Sequence, residues 1–249
     1  MFSIVATPDH PHPMPDRRPP APNPAARSLV ESVYARLTAG ILSGALPSGT
    51  VLSEVELAKE LGVSRTPVRD ALRQLGKDGL VTQARNRRAT VARFSPDDVF
   101  EIFELRKFLE GPAAELAAGR IDARALAPLR AAADALAAGP GAPDWTARWA
   151  DFDDAFHVAV AEASGNRRLA ADIGRYRLLH RGFNIGATDR AALQGPLAEH
   201  VAILDALTAR DGRKARELMV AHIAAWQEYF VRHFPGPAPA APSPRRKRG

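Results

Sequence analysis

The sequence predicts a mostly α-helical protein, in which an N-terminal winged helix-turn-helix is followed by a C-terminal all-helical antiparallel bundle. Three observations predict this fold class. Apolar residues recur at helical spacing through most of the chain, and strand-like runs are confined to 80–82 and 89–91. The chain has 249 residues, more than one domain usually holds, and a Phe-Ser-Pro break at 94–96 divides it. We therefore expect one domain over 27–94 and a second over 95–234.

Both ends of the chain differ from these domains in composition. Residues 1–26 are rich in proline, and residues 235–249 are rich in proline and alanine and end in a basic run. Such segments lack the apolar periodicity that would offset the entropy lost on folding. We expect both tails to be disordered.

The composition excludes several kinds of site. Because the chain has no cysteine, it can form no disulfide or thiolate metal site, and a metal would be held by histidine and carboxylate groups. No run approaches the ~20 apolar residues of a membrane helix, and no basic segment precedes the short apolar N-terminus. We expect a cytoplasmic protein without a membrane segment.

The net charge of +6 is unevenly distributed. Residues 27–94 carry eleven lysines and arginines against six acidic residues, whereas residues 95–234 carry seventeen against twenty. The positive field therefore belongs to the small N-terminal domain and to the C-terminal tail, whose four basic residues at 245–248 supply the remaining charge, and the larger domain has no electrostatic reason to contact a polyanion.

Three helices are predicted in the N-terminal domain. The first covers about 29–41, where apolar residues recur near the helical period. The second begins after Ser53, which forms a capping-box pattern with Glu56. The third begins after Ser64, a favourable N-cap, and has Pro67 in its first turn, where a missing N–H costs nothing. The second and third helices are nearly continuous, as in a helix-turn-helix.

The third helix has a basic face. Arg65, Arg69 and Arg73 are four residues apart and form one line along it. A neighbouring apolar line would seat the helix on the domain: Val68, Leu72 and Leu75. A helix packed on one side and basic on the other can enter a major groove of DNA, although a single such helix is more often an ordinary solvated surface helix.

A basic hairpin follows this helix. Arg87 and Arg88 lie between the two strand-like runs and place positive charge at the predicted turn. The capped helix, the short turn, the basic helix and the hairpin together favour DNA binding over the solvated-surface interpretation.

Part of this region resembles a known family. Residues 64–72 read SRTPVRDAL and residues 78–81 read DGLV, and both are similar to the winged helix-turn-helix of the GntR superfamily of bacterial transcription regulators. The resemblance implies that Arg65, Thr66 and Arg69 contact bases and phosphates of a double-stranded operator.

Two positions depart from that family's pattern. Val55 stands where some relatives have a DNA-contacting arginine, and this difference would remove one interaction with DNA. Arg87 and Arg88 stand where a glycine is common, and they would add phosphate or minor-groove interactions. The operator sequence therefore does not follow from the resemblance.

Only helices are predicted in the C-terminal domain. Its segments end at glycines, and its high alanine content favours close packing in an antiparallel bundle. The predicted helices cover about 96–118, 123–138, 143–164, 167–186, 189–209 and 212–234.

Four side chains of this domain are candidate metal ligands. Asp153 and His157 are four apart, which puts them about 40° apart around a helix and close enough to chelate one ion. His200 and His222 lie on later helices and could face the bundle axis. Each histidine alone is more often a structural or surface residue, so the residues by themselves leave the ligand set open.

The C-terminal domain resembles the FCD effector domain of the FadR-like branch of the same superfamily. The similarity rests on Glu-Leu-Arg at 104–106, Asp-Asp-Ala-Phe-His at 153–157 and Ser-Gly-Asn at 164–166. It implies that a divalent cation, zinc, nickel or manganese, is held by matching ligand positions: Asp153, His157, His200 and His222.

The same resemblance implies an effector pocket. Open positions on the cation would suit the carboxylate of a small effector, and Arg106 could pair with that acid. A structural ion pair of Arg106 with Glu110 on the same helix is an equal alternative. His180 and His233 match no such role and are expected at the surface.

Together these patterns and the resemblance predict a homodimeric transcription regulator that binds an inverted-repeat operator and a carboxylic acid, and they leave open whether it is a repressor or an activator. A metal-dependent hydrolase is the rival, because a cation can activate water. The sequence contains no His-Glu-x-x-His motif, nucleophile elbow or phosphate loop. A nonspecific nucleic-acid-binding protein is disfavoured by the slightly acidic large domain and by an aromatic content of only 6%.

Overall fold

A computed structural model describes residues 24–83, 88–183 and 190–233 of the chain. Within these residues it confirms a mostly helical fold with a small sheet. The elements are α1 (Pro24–Leu42), β1 (Val51–Leu52), α2 (Glu54–Leu61), α3 (Arg65–Asp78), β2 (Val81–Thr82), β3 (Ala89–Val91), α4 (Pro96–Ala118), α5 (Ala123–Ala138), α6 (Trp145–Ala163), α7 (Arg167–Phe183), a 3-10 helix (Arg190–Leu193), α8 (Gln194–Thr208) and α9 (Gly212–His233).

Strand β1 of the N-terminal domain is not predicted by the sequence pattern. Strand β3 lies between β1 and β2 in an antiparallel sheet, with Val51 opposite Thr90 and Val81 opposite Val91. Strand β1 has two residues, too few to show a period of two. The predicted hairpin is thereby extended to three strands.

The helix starts agree with the predictions in part. Helix α1 begins at Pro24, before the expected domain start at 27, and proline is favourable in a first turn. The Ser53 side chain accepts a hydrogen bond from the N–H of Glu56 at 3.4 Å. Ser64 has the extended backbone of an N-cap, but its side chain makes no capping hydrogen bond. The exposed first turn of α3 therefore leaves N–H groups for water or a phosphate.

Helices α4 to α9 form the C-terminal domain around an apolar core. Helix α4 begins with a full capping box, in which Ser95 and Asp98 bond each other's backbone N–H. The segment expected as one helix over 189–209 is a 3-10 helix followed by α8, because Pro196 lies in the first turn of a new helix. In the described part of the chain, no helix is long and apolar enough to cross a membrane.

The two domains share a core although they separate cleanly in sequence. Ile102 of α4 and Leu179 of α7 belong to the apolar cluster of the N-terminal domain. Leu179 lies close to Gly79, the left-handed C-cap of α3, where an added Cβ would be 3.1 Å from the leucine side chain. Helix α7 of the bundle thus packs directly against the end of helix α3.

Candidate metal centre and nucleic-acid interface

Three helices bring the four predicted ligands together in the bundle. Asp153 and His157 come from α6, His200 comes from α8 and His222 comes from α9, and all four are buried. One ligand atom from each lies within 4.8 Å of all the others. The spacing of four along α6 therefore produces the pair that the sequence predicts, and the fold adds the two later histidines.

The ligand atoms converge on one point. Nε2 of His200 is 3.3 Å from Oδ1 of Asp153 and 3.3 Å from Nε2 of His157. Nε2 of His157 is 3.6 Å from the same carboxylate oxygen. Histidine nitrogens and a carboxylate oxygen are the donors that suit zinc, nickel or manganese, so the residues fit the cation that the sequence predicts.

A second layer of charged groups orients these ligands. Nδ1 of His157 hydrogen-bonds to Glu110, and Nδ1 of His222 lies 2.7 Å from Oε2 of Glu199. Arg177 donates to Oδ2 of Asp153 at 2.6 Å, which leaves Oδ1 facing the histidines. Carboxylates that hold the far ring nitrogen are typical of histidine metal ligands, because they fix the tautomer and the ring orientation.

The electrostatics favour the protonation states that a metal needs. Burial lowers the pKa of His200, and burial lowers the pKa of His222 further, so both imidazoles stay neutral at pH 7. Burial alone would raise the pKa of Asp153, but the Arg177 guanidinium and the neighbouring histidines hold it well below its usual value. Metal ligands must be deprotonated before they bind, and these groups are.

Glu110 and Arg106 form a buried ion pair beside the ligands. Nε of Arg106 donates to Oε1 of Glu110 at 2.7 Å. Burial would raise the pKa of Glu110, but the charge of Arg106, the hydrogen bond with His157 and the charge of Arg177 hold it far below its usual value. Of the two alternatives for Arg106, the ion pair with Glu110 is therefore present, and Nη1 of Arg106 has no hydrogen-bond partner among the described residues.

A cavity of about 180 Å³ adjoins two of the four candidate ligands. Asp153 and His222 line it, together with Arg106, Arg177 and Trp149. Nη1 of Arg106, Nη1 of Arg177 and Nε1 of Trp149 are all buried without a hydrogen-bond partner in the described part of the chain. Buried donors without partners are costly, so three around one cavity indicate a ligand that accepts hydrogen bonds.

His180 is placed differently from the sequence expectation. It is buried rather than at the surface, and its ring packs edge-on against Phe103 and Phe230 while it lines the same cavity. Burial and the charges of Arg106 and Arg177 hold its pKa well below the usual value. His233 is exposed, as expected.

The predicted DNA-contacting residues of α3 form one exposed face. Arg65, Thr66, Arg69 and Arg73 are exposed, whereas the apolar line of the helix is fully buried. Arg88 is exposed at the start of β3, and Arg87 lies outside the described residues. The geometry needed for a recognition helix is thus present.

Acidic neighbours distinguish the three arginines of this face. Arg65 pairs with Glu54 at 3.3 Å, and Arg73 lies 3.6 Å from Asp70. Arg69 has no charged partner among the described residues. The pair with Glu54 was not predicted, because no local spacing relates residues on two different helices.

The chain matches two described families over adjacent segments. Residues 29–91 match the family described as bacterial regulatory proteins, gntR family, and residues 101–225 match the FCD domain. The first match contains the exposed face of α3, and the second contains all four candidate ligands.

Individual proteins and a solved structure are also similar to this chain over most of its length. A probable D-xylose utilization operon transcriptional repressor of Paenarthrobacter nicotinovorans is 30% identical over 75% of this chain and 81% of its own length. An uncharacterized HTH-type transcriptional regulator of Streptomyces ambofaciens is 30% identical over 80% and 84%. The solved structure of E. coli McbR/YncC superposes with a TM-score of 0.67 at 26% identity, covering 81% of this chain and 98% of that one.

Proposed function

The chain belongs to the GntR family of bacterial regulatory proteins and carries an FCD domain, and from this we propose that a small carboxylic acid, bound at a metal-containing cavity, controls its binding to an operator. The chain is a transcription regulator and not an enzyme, since its family and its relatives are regulators. The observation that carries the proposal is a cluster of four candidate metal-ligand side chains beside a cavity. Two of the four line this cavity, together with three side chains whose buried donors have no partner among the described residues.

The proposed cation is zinc, nickel or manganese, held by Asp153, His157, His200 and His222. Bound there, it would supply positive charge and open coordination positions for an acid. The protein supplies the rest: Glu110 and Glu199 orient two of the imidazoles, and Arg177 orients the carboxylate. The proposed function is binding and not catalysis, so it requires no general acid or base.

Charge balance supports an anionic effector. Without a metal, the buried charges of Asp153 and Glu110 are offset by those of Arg106 and Arg177. A divalent cation adds two positive charges to this balanced site, and buried charge is costly unless it is paired. A carboxylate would pair with the cation and accept hydrogen bonds from the free guanidinium nitrogens and the Trp149 indole. At about 180 Å³, the cavity favours a small acid over larger metabolites.

We propose double-stranded DNA with an inverted repeat as the operator, read by α3. The exposed arginines of that helix and Arg88 support this, as does the positive charge of the domain. We expect repression, as named for the Paenarthrobacter relative. A cytoplasmic location follows from the proposed contact with chromosomal DNA.

Loading and thermal-shift experiments test this function. Protein purified without a His-tag is stripped with a chelator, reloaded with zinc, nickel or manganese, and screened with carboxylic acids of increasing size. We expect a higher melting temperature with the metal and a further rise with an acid, because a ligand at 100 times its Kd stabilises the folded state by about 2.7 kcal/mol. The same acid should change affinity for an operator selected from random duplexes. An acid that stabilises the stripped and the metal-loaded protein equally would contradict the proposed role of the metal in binding the acid.

We propose that the regulator is a homodimer, joined through the outer face of α4 and α9. Phe108 on this face is 73% exposed, beside a groove whose floor contains Pro112, Val220 and Ala224. A protruding side chain and a groove on one face suit a two-fold interface, where the same surface meets itself. The surrounding charges are already paired within the chain, so two copies would not repel: Lys107 with Glu104, Arg216 with Glu115 and Arg213 with Glu217.

Phe108→Asp should therefore produce a monomer. A buried charge without a partner in the interface is costly, and a monomer can occupy only one half of an inverted repeat. Analytical ultracentrifugation gives the mass, and footprinting gives the number of half-sites that are protected. Val158→Asp, at an exposed apolar position on α6, is the matched control and should remain dimeric. If Phe108→Asp stays dimeric with both half-sites protected, the proposed face is wrong.

A further inference from the structure

One lining residue of the cavity beside the candidate ligands comes from the DNA-binding domain. Leu42, the last residue of α1, lines the cavity, whereas its other lining residues belong to helices of the bundle. Asp153, Arg177 and His222 face the same space. A molecule that fills this cavity would therefore meet both domains.

The residues next to Leu42 are fixed within the N-terminal domain. The preceding Ile41 is buried in the N-terminal core. The end of α1 is closed by hydrogen bonds from the N–H of Ser43 to the carbonyl of Ala39 and from Gly44 to Ile41. Because packed interiors transmit strain, pressure on Leu42 would be passed through Ile41 to the rest of α1.

Helix α1 is connected to the recognition helix α3. The two helices pack together in the N-terminal core, and the Tyr34 hydroxyl donates to Oδ2 of Asp78 at 2.9 Å, at the last residue of α3. A displacement of α1 would therefore reach the helix that carries Arg65 and Arg69.

On the bundle side, helix α7 also links the candidate metal ligands to helix α3. Arg177 holds the candidate metal ligand Asp153, and two residues later Leu179 packs into the N-terminal core beside Gly79. Residues two apart on a helix point in nearly opposite directions. The metal site and the C-terminal end of α3 are thus separated by the width of one helix.

We propose that Leu42 is the residue through which the DNA-binding domain senses the effector. An acid large enough to reach Leu42 alters the position of α1 and thereby the affinity for the operator. A smaller acid binds the metal site without reaching Leu42, and it leaves operator affinity unchanged. This inference rests on the proposed effector cavity, and it adds that effector size is read by a residue of the other domain.

Leu42→Ala tests the inference. The metal-loaded wild type is first titrated with acids from acetate to citrate, and each acid's Kd is measured with and without operator DNA. Allosteric coupling in proteins is typically about 5–150-fold and is equal in both directions. The coupling factor is the ratio of an acid's Kd with operator DNA to its Kd without DNA. For an acid whose factor in the wild type differs from one, we expect the variant to keep its metal and bind the acid, with a factor close to one. Leu29→Ala, on the same helix but away from the cavity, should keep wild-type coupling.

Leu42→Phe supplies an independent result. The larger side chain extends into the cavity, so an acid that binds the wild type without coupling should now change operator affinity. Unchanged coupling in both variants, with metal content and melting temperature intact, would overturn the role of Leu42 and leave the proposed function standing. The failure of every acid to bind metal-loaded wild type would instead contradict the proposed function, and it would be seen before any variant is made.

Discussion

Replacing His200 with alanine is expected to release most of the bound metal from the protein. Nε2 of His200 is 3.3 Å from both Asp153 and His157, so its imidazole lies at the centre of the candidate ligand set. Removing a side chain that merely orients a ligand typically costs 10–100-fold in metal affinity, and we expect removal of a ligand to cost at least roughly that much. The response to an acid should disappear with the metal, while operator binding without acid should change much less.

Elemental analysis and operator titrations measure these effects. Wild type and His200→Ala are purified without a His-tag, and His233→Ala is the matched control, since His233 is exposed and its Nδ1 bonds to a backbone carbonyl of its own helix. A histidine that serves packing alone would lower the melting temperature when truncated but leave the metal content at the wild-type level. A wild-type protein that takes up no zinc, nickel or manganese would contradict the metal site altogether.

The helical part of the fold was predictable because its signals are local. Helices α4 and α5 start where predicted, since each is preceded by a capping side chain, Ser95 or Asp122, that bonds the first turn. The two-residue strand β1 shows no local pattern and forms only by pairing with β3. The break before α8 depends on the position of Pro196 within a longer apolar pattern, and spacing alone does not resolve it.

The ligand set was predictable in part for a different reason. Asp153 and His157 share one helix, so their spacing shows that they are neighbours, whereas His200 and His222 were added by resemblance to a family. Arg177 lies 24 residues from Asp153, and Leu42 lies in the other domain, so no spacing links them to the site. Likewise His180 is buried because α7 is covered on both sides, which only the packing of the domains reveals.

For the DNA-binding face, Arg69→Ala is expected to weaken operator binding by about 1–3 kcal/mol if the side chain reads a base, without affecting the fold. Arg69 is exposed and has no charged partner among the described residues, so its removal breaks no ion pair of the free protein. Arg65→Ala should cost an amount in the same range, reduced by the energy of the ion pair that Arg65 must break with Glu54 to reach DNA.

The dependence on salt and sequence separates the roles of these arginines. If Arg69 reads a base, its truncation relaxes the preference for one base pair. If Arg69 binds a phosphate, its truncation weakens binding to all sequences alike and reduces the slope of log K against log salt by about one. Arg124→Ala, at an exposed position in the first turn of α5, is the matched control for the removal of one positive charge and should bind the operator as the wild type does. Wild-type operator affinity in both Arg65→Ala and Arg69→Ala would mean that α3 does not read the DNA, because no other described helix of the domain presents a line of exposed arginines.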